Sequence, residues 1–309
     1  MASRHAEVRR VPGPGDDQGR SPIIDYESSD YAERFWSGRE YEDAVERIAL
    51  GKLLPPAGEV LADVGAGHGR LADLYSGFRT VILIDPARSV LEKAVAAWGD
   101  DPRFVFARAN LSRLPMDHAT CDTIVTVRVL HHIPDLRAAF AEVHRVLRPG
   151  GAYVLEYANK RNLKEILRAA VGRSRRRPFA HAPAEALPLH FTFHPAYVDG
   201  ALRETRFRVE RALAVSTFRI PFLKRWIPTT LLAKADGWLQ EVGAPLKFTP
   251  SVFLRALADK PNPDVDPAGL FACPQDGTPL SEAGSGLACP TCGRSWEPQG
   301  GIYDFAPSE

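Results

Sequence analysis

The residues best placed to do chemistry are one acid and three glycines between positions 63 and 69. Asp63 ends a short apolar run. The glycines follow it at every second position, as Gly65, Gly67 and Gly69. Glycine lets the backbone turn sharply and lets a ligand approach without interference from a β-carbon. A helix that begins after such a turn presents free backbone N–H groups. The pattern therefore predicts a ligand-binding loop between a strand and a helix.

A dinucleotide-binding loop is the main alternative, because its fingerprint is also glycine-rich and also follows a first strand. That fingerprint requires a third glycine three residues after the second, which here would be position 70, and Arg70 stands there. The order acid-x-Gly-x-Gly-x-Gly instead resembles the S-adenosylmethionine loop of class I methyltransferases.

The elements that must position this loop alternate along the chain, with short β-branched runs separated by helical patterns. The predicted strands are Glu59–Val64, Thr80–Ile84, Phe104–Ala107, Cys121–Val127 and Ala152–Glu156. The predicted helices between them are Gly69–Tyr75, Ala87–Trp98 and Leu136–Leu147. Parallel strands joined by helices form a sheet that is covered on both faces. We therefore expect an α/β fold with a Rossmann-like, doubly wound, mostly parallel sheet and a ligand at the carboxyl ends of its strands.

Further segments resemble the same family in the same order. Asp85-Pro86 ends the second strand, and Ala109–Pro115 resembles the family's Gly-Asp-x-x-x-Leu-Pro segment. Three more segments follow as Cys121–Val125, Arg128–Ile133 and Arg145–Gly151. Together with the glycine loop they resemble the type 11 branch of class I methyltransferases over about residues 59–156. The resemblance implies an enzyme that transfers a methyl group from S-adenosylmethionine.

The resemblance also implies a role for each matching position. The glycine loop and Asp63 would surround the methionine part of the cofactor, and Asp85 would accept hydrogen bonds from the ribose hydroxyls. Asn110 stands where the family usually has Asp, and its amide oxygen would accept from the adenine amine. Arg128 would lie beneath the methionine part, facing the acceptor. The cofactor positions are Asp63, Gly65, Ala66, Gly67, Gly69, Asp85, Pro86, Asn110, Leu111 and Arg128.

No catalytic residue stands out, and the chemistry does not demand one. Positioning the donor and the acceptor in line can by itself lower the barrier by about 7–11 kcal/mol. A general base is needed only if the acceptor must lose a proton. The weak candidates are His131 and His132 after the fourth strand, Glu156 and Tyr157 at the end of the fifth strand, and His190 and His194 beyond it. The alternative for each is a packed loop histidine or a residue of the pocket wall.

A strongly basic segment follows the predicted sheet. Lys160–Arg177 contains eight Lys and Arg residues and one acid, a local charge of +7 in a chain whose net charge is +1. Such a run is compatible with a solvated face, an anionic membrane surface or an RNA phosphate backbone. A second stretch, Phe218–Pro228, interleaves bulky apolar residues with cations and supports peripheral membrane contact. The alternative for this stretch is a lid helix packed on the domain. The basic segment lacks the interleaved aromatic residues that would favour RNA.

The end of the chain carries a second chemical pattern. Cys273-x-x-Asp276 is followed, about 16 residues later, by Cys289-x-x-Cys292, which is the spacing of a zinc ribbon. The segment resembles the small zinc-ribbon activator subunits of methyltransferases. A carboxylate can replace one cysteine as a zinc ligand. A ribbon that folds without metal is the alternative. The resemblance implies a module that packs on its own catalytic domain, binds a protein partner or guides a substrate.

The amino-acid composition of the chain agrees with these predictions. The 309 residues are 45 % hydrophobic and 25 % charged, which is typical of a globular protein and excludes a disordered, fibrous or disulfide-rich chain. Neither a bilayer-spanning run nor a secretory signal is present in this sequence, so we expect a cytoplasmic protein. The predicted organisation is a disordered tail at 1–20, a methyltransferase domain at 21–258, a linker at 259–268 and a zinc-ribbon-like domain at 269–309.

We expect the acceptor of the methyl group to be a small molecule or a lipid-like metabolite. The alternatives are an RNA methyltransferase that uses the basic segment 160–177, and a non-catalytic scaffold that binds S-adenosylmethionine without transferring its methyl group.

Overall fold

The fold is seen in a computed structural model that describes residues 38–174, 177–187, 189–261 and 269–306. The predicted tail at 1–20 and residues 262–268 of the predicted linker lie outside the described residues.

Strands and helices alternate through the first half of the chain, as the sequence predicts. The strands are β1 (Gly58–Val64), β2 (Phe78–Asp85), β3 (Phe104–Arg108), β4 (Cys121–Thr126), β5 (Leu147–Ala158), β6 (Ala184–Leu187), β7 (His190–Thr192), β8 (Phe207–Val215), β9 (Ser251–Ala258), β10 (Ser281–Ala283), β11 (Gly286–Ala288), β12 (Ser295–Trp296) and β13 (Ile302–Asp304). The α-helices are α1 (Glu40–Leu53), α2 (Arg88–Trp98), α3 (Leu136–Val146), α4 (Leu163–Ala170), α5 (Pro195–Glu204), α6 (Pro221–Trp226) and α7 (Thr229–Val242). Short 3₁₀ turns occur at Ala72–Tyr75 and Leu130–His132.

The central sheet has eight strands in the order β13-β3-β2-β1-β4-β5-β9-β8. The strands from β13 to β5 are parallel, whereas β9 is antiparallel to β5 and β8 is antiparallel to β9. Along β2, Ile82 and Ile84 join the core on one face, and Val81 and Leu83 join the core on the other. The near-continuous apolar strands are therefore buried on both sides. The mixed sheet with covering helices confirms the predicted Rossmann-like α/β fold.

The predicted helix at Gly69–Tyr75 is wrong, since only one 3₁₀ turn at Ala72–Tyr75 is present. Gly69 has a φ of +74°, a left-handed conformation that an α-helix cannot include. The side chain of Arg70 is also held by two carboxylates of α1, those of Asp43 and Glu46. The glycine loop is therefore followed by a turn rather than by the N-terminus of a regular helix.

The C-terminal segment is joined to the central sheet. A small antiparallel sheet of β10, β11 and β12 precedes β13, and β13 pairs in parallel with β3, the edge of the parallel sheet. Ile302 of β13 is fully buried beside Phe106. The backbone N–H of Ala272 also donates to the carbonyl of Pro115 at 3.1 Å. The unpaired edge that β3 would otherwise expose is thus covered by the same chain.

Membrane-spanning character is not found in this fold. Each helix within the described residues is too short or too polar to cross a bilayer.

Candidate cofactor and acceptor site

The glycine loop lies at the carboxyl end of β1 with all three glycines at positive φ: Gly65 at +81°, Gly67 at +57° and Gly69 at +74°. A β-carbon at Gly65 would lie 2.2 Å from Cγ2 of Val129, so packing requires glycine there. A β-carbon at Gly67 would meet nothing within 4 Å. The loop therefore packs tightly at its start and leaves open space over Gly67, where a ligand can approach the backbone.

The carboxylate of Asp85 connects this loop to the turn after β2. One oxygen accepts from the backbone N–H of Gly67 at 2.9 Å, and the other accepts from the N–H of Ala87 at 2.9 Å. The N–H groups of Gly65 and Ala66 also donate to the carbonyl of Ile84, at 2.7 and 3.0 Å. Two neighbouring strand ends are thereby fixed to each other around one carboxylate.

Asp63 is buried beneath the loop. Its carboxylate accepts a hydrogen bond from the hydroxyl of Tyr75 at 2.8 Å. Burial raises the pKa of Asp63 to about 7, and the hydrogen bond from Tyr75 offsets part of that rise. The sequence did not single out Tyr75. Its place at the end of a short turn, twelve residues after Asp63, gave no spacing signal.

The predicted adenine contact is engaged in a local turn. The side-chain oxygen of Asn110 accepts from the backbone N–H of Ser112 at 3.0 Å and from its hydroxyl. The side chain of Leu111 is buried. The adenine contacts assigned to Asn110 and Leu111 therefore stay predictions, and any contact to Asn110 must coexist with this turn.

Arg128 follows β4 at a φ of +60° and lies between two buried acids. Its backbone N–H donates to the carboxylate of Glu156 at 3.2 Å, and its guanidinium pairs with Glu46 of α1. Glu46 also accepts from Arg70 at 2.8 Å, and Glu156 accepts from Ser251 at 2.7 Å. Two arginines and two acids from four elements thus form one charged network at the carboxyl ends of the strands.

Sequence reasoning missed Glu46. The signal was present, because Glu42 and Glu46 are four residues apart on the helix face that also carries Tyr41, Val45 and Ala49. An acid on the apolar face of a helix usually has a buried cationic partner, since an unpaired charge is costly to bury.

Three histidines meet above the end of β4. The ring of His132 lies 3.9 Å from that of His131 and 4.7 Å from that of His190. Burial lowers the pKa of His131 well below its usual range and that of His132 to about 4. Candidate ligand nitrogens of the three rings lie within 4.8 Å of one another. At neutral pH His131 and His132 are therefore uncharged imidazoles, the form that can hold a metal ion.

Two of the remaining catalytic candidates, Tyr157 and His194, differ from each other. The hydroxyl of Tyr157 is fully buried and has no hydrogen-bond partner among the described residues. Burial raises the pKa of Tyr157 well above its usual range, so the hydroxyl remains a donor. His194 instead accepts at Nδ1 from the N–H of Ala196 at 3.1 Å and caps α5. A structural role accounts for His194, whereas Tyr157 leaves a buried donor available to a ligand.

The four predicted metal ligands are brought together. Sγ of Cys273 lies 3.7 Å from Sγ of Cys292, and Sγ of Cys289 lies 3.5 Å from the carboxylate of Asp276. All four candidate ligand atoms lie within 4.8 Å of one another. Backbone N–H groups donate to the sulfurs of Cys273 and Cys289 at 3.4 Å. This donor set fits a tetrahedral zinc ion.

Comparison with known proteins identifies the domain that holds the site. Residues 62–155 match the family described as methyltransferase domain. The 27-O-demethylrifamycin SV methyltransferase of Amycolatopsis mediterranei is 34 % identical over 37 % of this chain and 45 % of its own length. The malonyl-[acyl-carrier protein] O-methyltransferase of Methylovorus is 35 % identical over 42 % of this chain and 45 % of its own length. The chain thus spans less than half the length of these curated relatives.

The fold agrees with that assignment. A chain from the complex between a Haloferax volcanii methyltransferase activator and a methyltransferase superposes with a TM-score of 0.53 at 15 % identity, covering 77 % of this chain and 100 % of its own. At this identity the likeness concerns the fold alone. Residues 62–155 thus match a methyltransferase domain, and the fold of the chain agrees with that match.

The residues present fit that cofactor. S-adenosylmethionine carries positive charge at its sulfonium and ammonium groups and hydroxyls on its ribose. The carboxylate of Asp85 lies beside the open space over Gly67, and that of Asp63 is buried two residues before the first glycine of the loop. Asp85 ends β2, and in nucleotide-binding sheets a carboxylate at this position accepts hydrogen bonds from the ribose hydroxyls.

Substitutions at two glycines separate cofactor space from packing. In Gly67→Ala the new methyl group enters the open space, and we expect the Kd for S-adenosylmethionine to rise about tenfold, the equivalent of a modest steric overlap. In the matched variant Gly65→Ala the methyl group overlaps Val129 at a strained φ, and the free energy of unfolding should fall by about 2–4 kcal/mol. Titration calorimetry and urea unfolding check both values. An unchanged Kd in Gly67→Ala would contradict the site.

Asp63 predicts a pH dependence of stability. Its folded pKa of about 7 lies above its ordinary value of 3.8, so the folded state binds the proton more tightly than the unfolded state. This group therefore stabilises the fold least above pH 7, and its contribution is lost as the pH rises from about 4 to 7. Asp63→Asn should gain stability relative to the wild type over that window, by up to roughly 4 kcal/mol. Urea unfolding at a series of pH values tests this, and a pH-independent difference would refute it.

Proposed function

We propose that the chain transfers a methyl group from S-adenosylmethionine to a small-molecule or lipid-like acceptor. The observation that carries the proposal is the carboxylate of Asp85, which holds the open glycine loop and the turn after β2 in one arrangement. The space over Gly67 and the buried acid Asp63 complete the cofactor side.

The chain's own residues contribute mainly by positioning. The bound cofactor supplies a methyl group already activated on a sulfonium. Asp63 would hold the methionine part of the cofactor, and Asp85 would accept hydrogen bonds from its ribose hydroxyls. The network of Arg128 with Glu46 and Glu156 fixes the floor of the cleft. On the acceptor side, the buried hydroxyl of Tyr157 would donate a hydrogen bond, and the uncharged imidazole of His132 near the end of β4 would accept one.

The choice of a small acceptor has support from two directions. The relatives named above act, according to their names, on demethylrifamycin and on malonyl-[acyl-carrier protein]. The basic segment gives RNA less support, since Lys160 is buried with its ammonium on the carbonyl of Ala182 and Arg161 donates to the carbonyl of Leu246 at 2.7 Å. These two cations hold the protein together rather than present charge to a polyanion.

Cofactor binding and turnover test the proposed function. In Asp85→Ala the Kd for S-adenosylmethionine should rise at least about tenfold, because a charge-assisted acceptor is lost. The exposed acid Asp100 offers a matched control, and Asp100→Ala should leave the Kd unchanged. Titration calorimetry measures both, and release of S-adenosylhomocysteine with a panel of hydroxylated metabolites and lipids measures turnover. Equal affinity in the wild type and Asp85→Ala would contradict the cofactor site. Tight binding without turnover would favour the scaffold, and turnover on RNA alone would favour the RNA alternative.

For the C-terminal segment we propose a zinc ribbon that stabilises the catalytic domain from within the same chain. The cluster of Cys273, Asp276, Cys289 and Cys292 supplies four ligands. Because β13 pairs with β3, a ribbon held by zinc would also stabilise the central sheet. The side chain of Arg108 links the two parts, since it donates to Asp304 at 3.2 Å and to the carbonyl of Pro86 at 3.0 Å.

Metal removal tests this role. The purified chain should contain about one zinc ion, and Cys289→Ser should lose it, because a structural zinc site requires all four ligands. Chelation should lower the Tm of the catalytic domain as well as that of the ribbon, because β13 lies in the central sheet. Atomic emission spectroscopy measures the zinc content, and differential scanning calorimetry measures the Tm. Cys121→Ala, outside the cluster, is the control for cysteine loss and should keep the zinc. Equal zinc content in the wild type and Cys289→Ser would refute the proposal.

A further inference from the structure

Three helices expose bulky apolar side chains to solvent, although one of them, α7, also buries Leu232 and Ala233. A surface helix of a globular protein normally turns its apolar stripe toward the core. On α4 the stripe of Leu163 and Leu167, four residues apart, points outward, while Glu165 is buried. The exposed side chains are Leu163, Leu167 and Val171 on or after α4, Phe222 and Trp226 on α6, and Leu231, Trp238 and Val242 on α7, each between 53 and 73 % exposed.

These helices form one continuous surface. The N–H of Leu163 donates to the carbonyl of Phe248 at 2.8 Å, just beyond α7. Lys164 of α4 and Arg225 of α6 line the same cleft, whose volume is about 710 Å³. We call the outward sides of α4, α6 and α7, within residues 163–174 and 218–248, the helical face.

Positive charge surrounds the apolar side chains of this face. Its two segments, 163–174 and 218–248, contain eight Lys and Arg residues and three acids. Two of the acids, Glu165 and Asp236, are buried. The third, Glu241, accepts from Arg211 at 2.6 Å. Four of the cations form ion pairs: Arg168 with Glu165, Arg219 and Lys224 with Glu42, and Lys247 with Asp199. The other four, Lys164, Arg173, Arg225 and Lys234, are exposed and add positive charge to the helical face.

We propose that the helical face binds an anionic lipid bilayer. Short amphipathic helices with bulky apolar residues on one side and cations beside them lie in the plane of such a surface. Trp226 and Trp238 suit the boundary region, because tryptophan combines a large apolar ring with a polar N–H. Charge complementarity selects lipids with negative headgroups over neutral lipids.

The helical face adjoins the cleft of about 710 Å³, and this position relates bilayer binding to the proposed reaction. The inference rests on the proposed function and specifies its acceptor as a lipid-like molecule taken from the bilayer. Glu42 lines the cleft beside Lys164 and Arg225. Glu46, one helical turn further along α1, contacts Arg128 at the floor of the cofactor site. The cleft beside the helical face and the charged network at Arg128 thus lie one helical turn apart along α1.

Vesicle binding by the full chain tests the inference. We expect the chain to sediment with vesicles of phosphatidylglycerol mixed with phosphatidylcholine, and weakly with phosphatidylcholine alone. In the double variant Phe222→Ser/Trp226→Ser the affinity should fall at least about tenfold, because two exposed side chains no longer enter the lipid. In Arg225→Gln it should fall about fivefold. Val209→Ser replaces an exposed apolar residue of β8, outside the helical face, and should bind as the wild type does.

The outcomes separate this inference from the function on which it rests. Vesicle binding that is absent, or that the double variant retains, overturns the inference, and unchanged S-adenosylmethionine binding in the same samples leaves the function intact. A dimer in the wild type that the double variant lacks, without vesicle binding, assigns the helical face to a second copy. Retention of RNA without vesicle binding assigns it to nucleic acid. Both results overturn the inference. If the wild-type chain does not bind S-adenosylmethionine, that result contradicts the proposed function instead.

Discussion

One carboxylate sets the arrangement on which the rest of the site depends. Asp85 accepts from the N–H of Gly67 and from that of Ala87, each at 2.9 Å, and so ties the turn after β1 to the turn after β2. Charge-assisted hydrogen bonds of this kind are stronger than neutral ones. Parallel pairing of β1 with β2 brings the two turns together, and the carboxylate fixes their geometry. The open space over Gly67 exists because both turns are held.

Neighbouring elements reinforce the same edge of the sheet. On one side the charged network of Arg128 and Glu46 fixes α1 to the end of β4. On the other side β13 extends the sheet beyond β3, and Arg108 joins Asp304 to the carbonyl of Pro86, next to Asp85. The C-terminal segment thus supports the turn that carries the central carboxylate. Through this contact the proposed metal binding near residue 289 would support a site that is far away in sequence.

The sequence predicted the strands, the glycine loop and the clustering of the four C-terminal ligands, because local spacing encodes each of them. It failed where a long-range contact decides the outcome. The helix expected at Gly69–Tyr75 does not form, since carboxylates of α1 hold Arg70 and Gly69 adopts a left-handed conformation. The pairing of β13 with β3 joins residues almost 200 positions apart, and no periodicity reports such a pairing. His190 of β7 likewise joins His131 and His132 through a contact between separate segments, and no local pattern predicts it.

The structure of the chain bound to S-adenosylmethionine tests the central claim most directly. The account predicts the cofactor over Gly67, with a ribose hydroxyl oxygen about 2.5–3.0 Å from the carboxylate of Asp85. A cofactor bound elsewhere, or a ribose more than about 4 Å from that carboxylate, beyond hydrogen-bonding range, would contradict it.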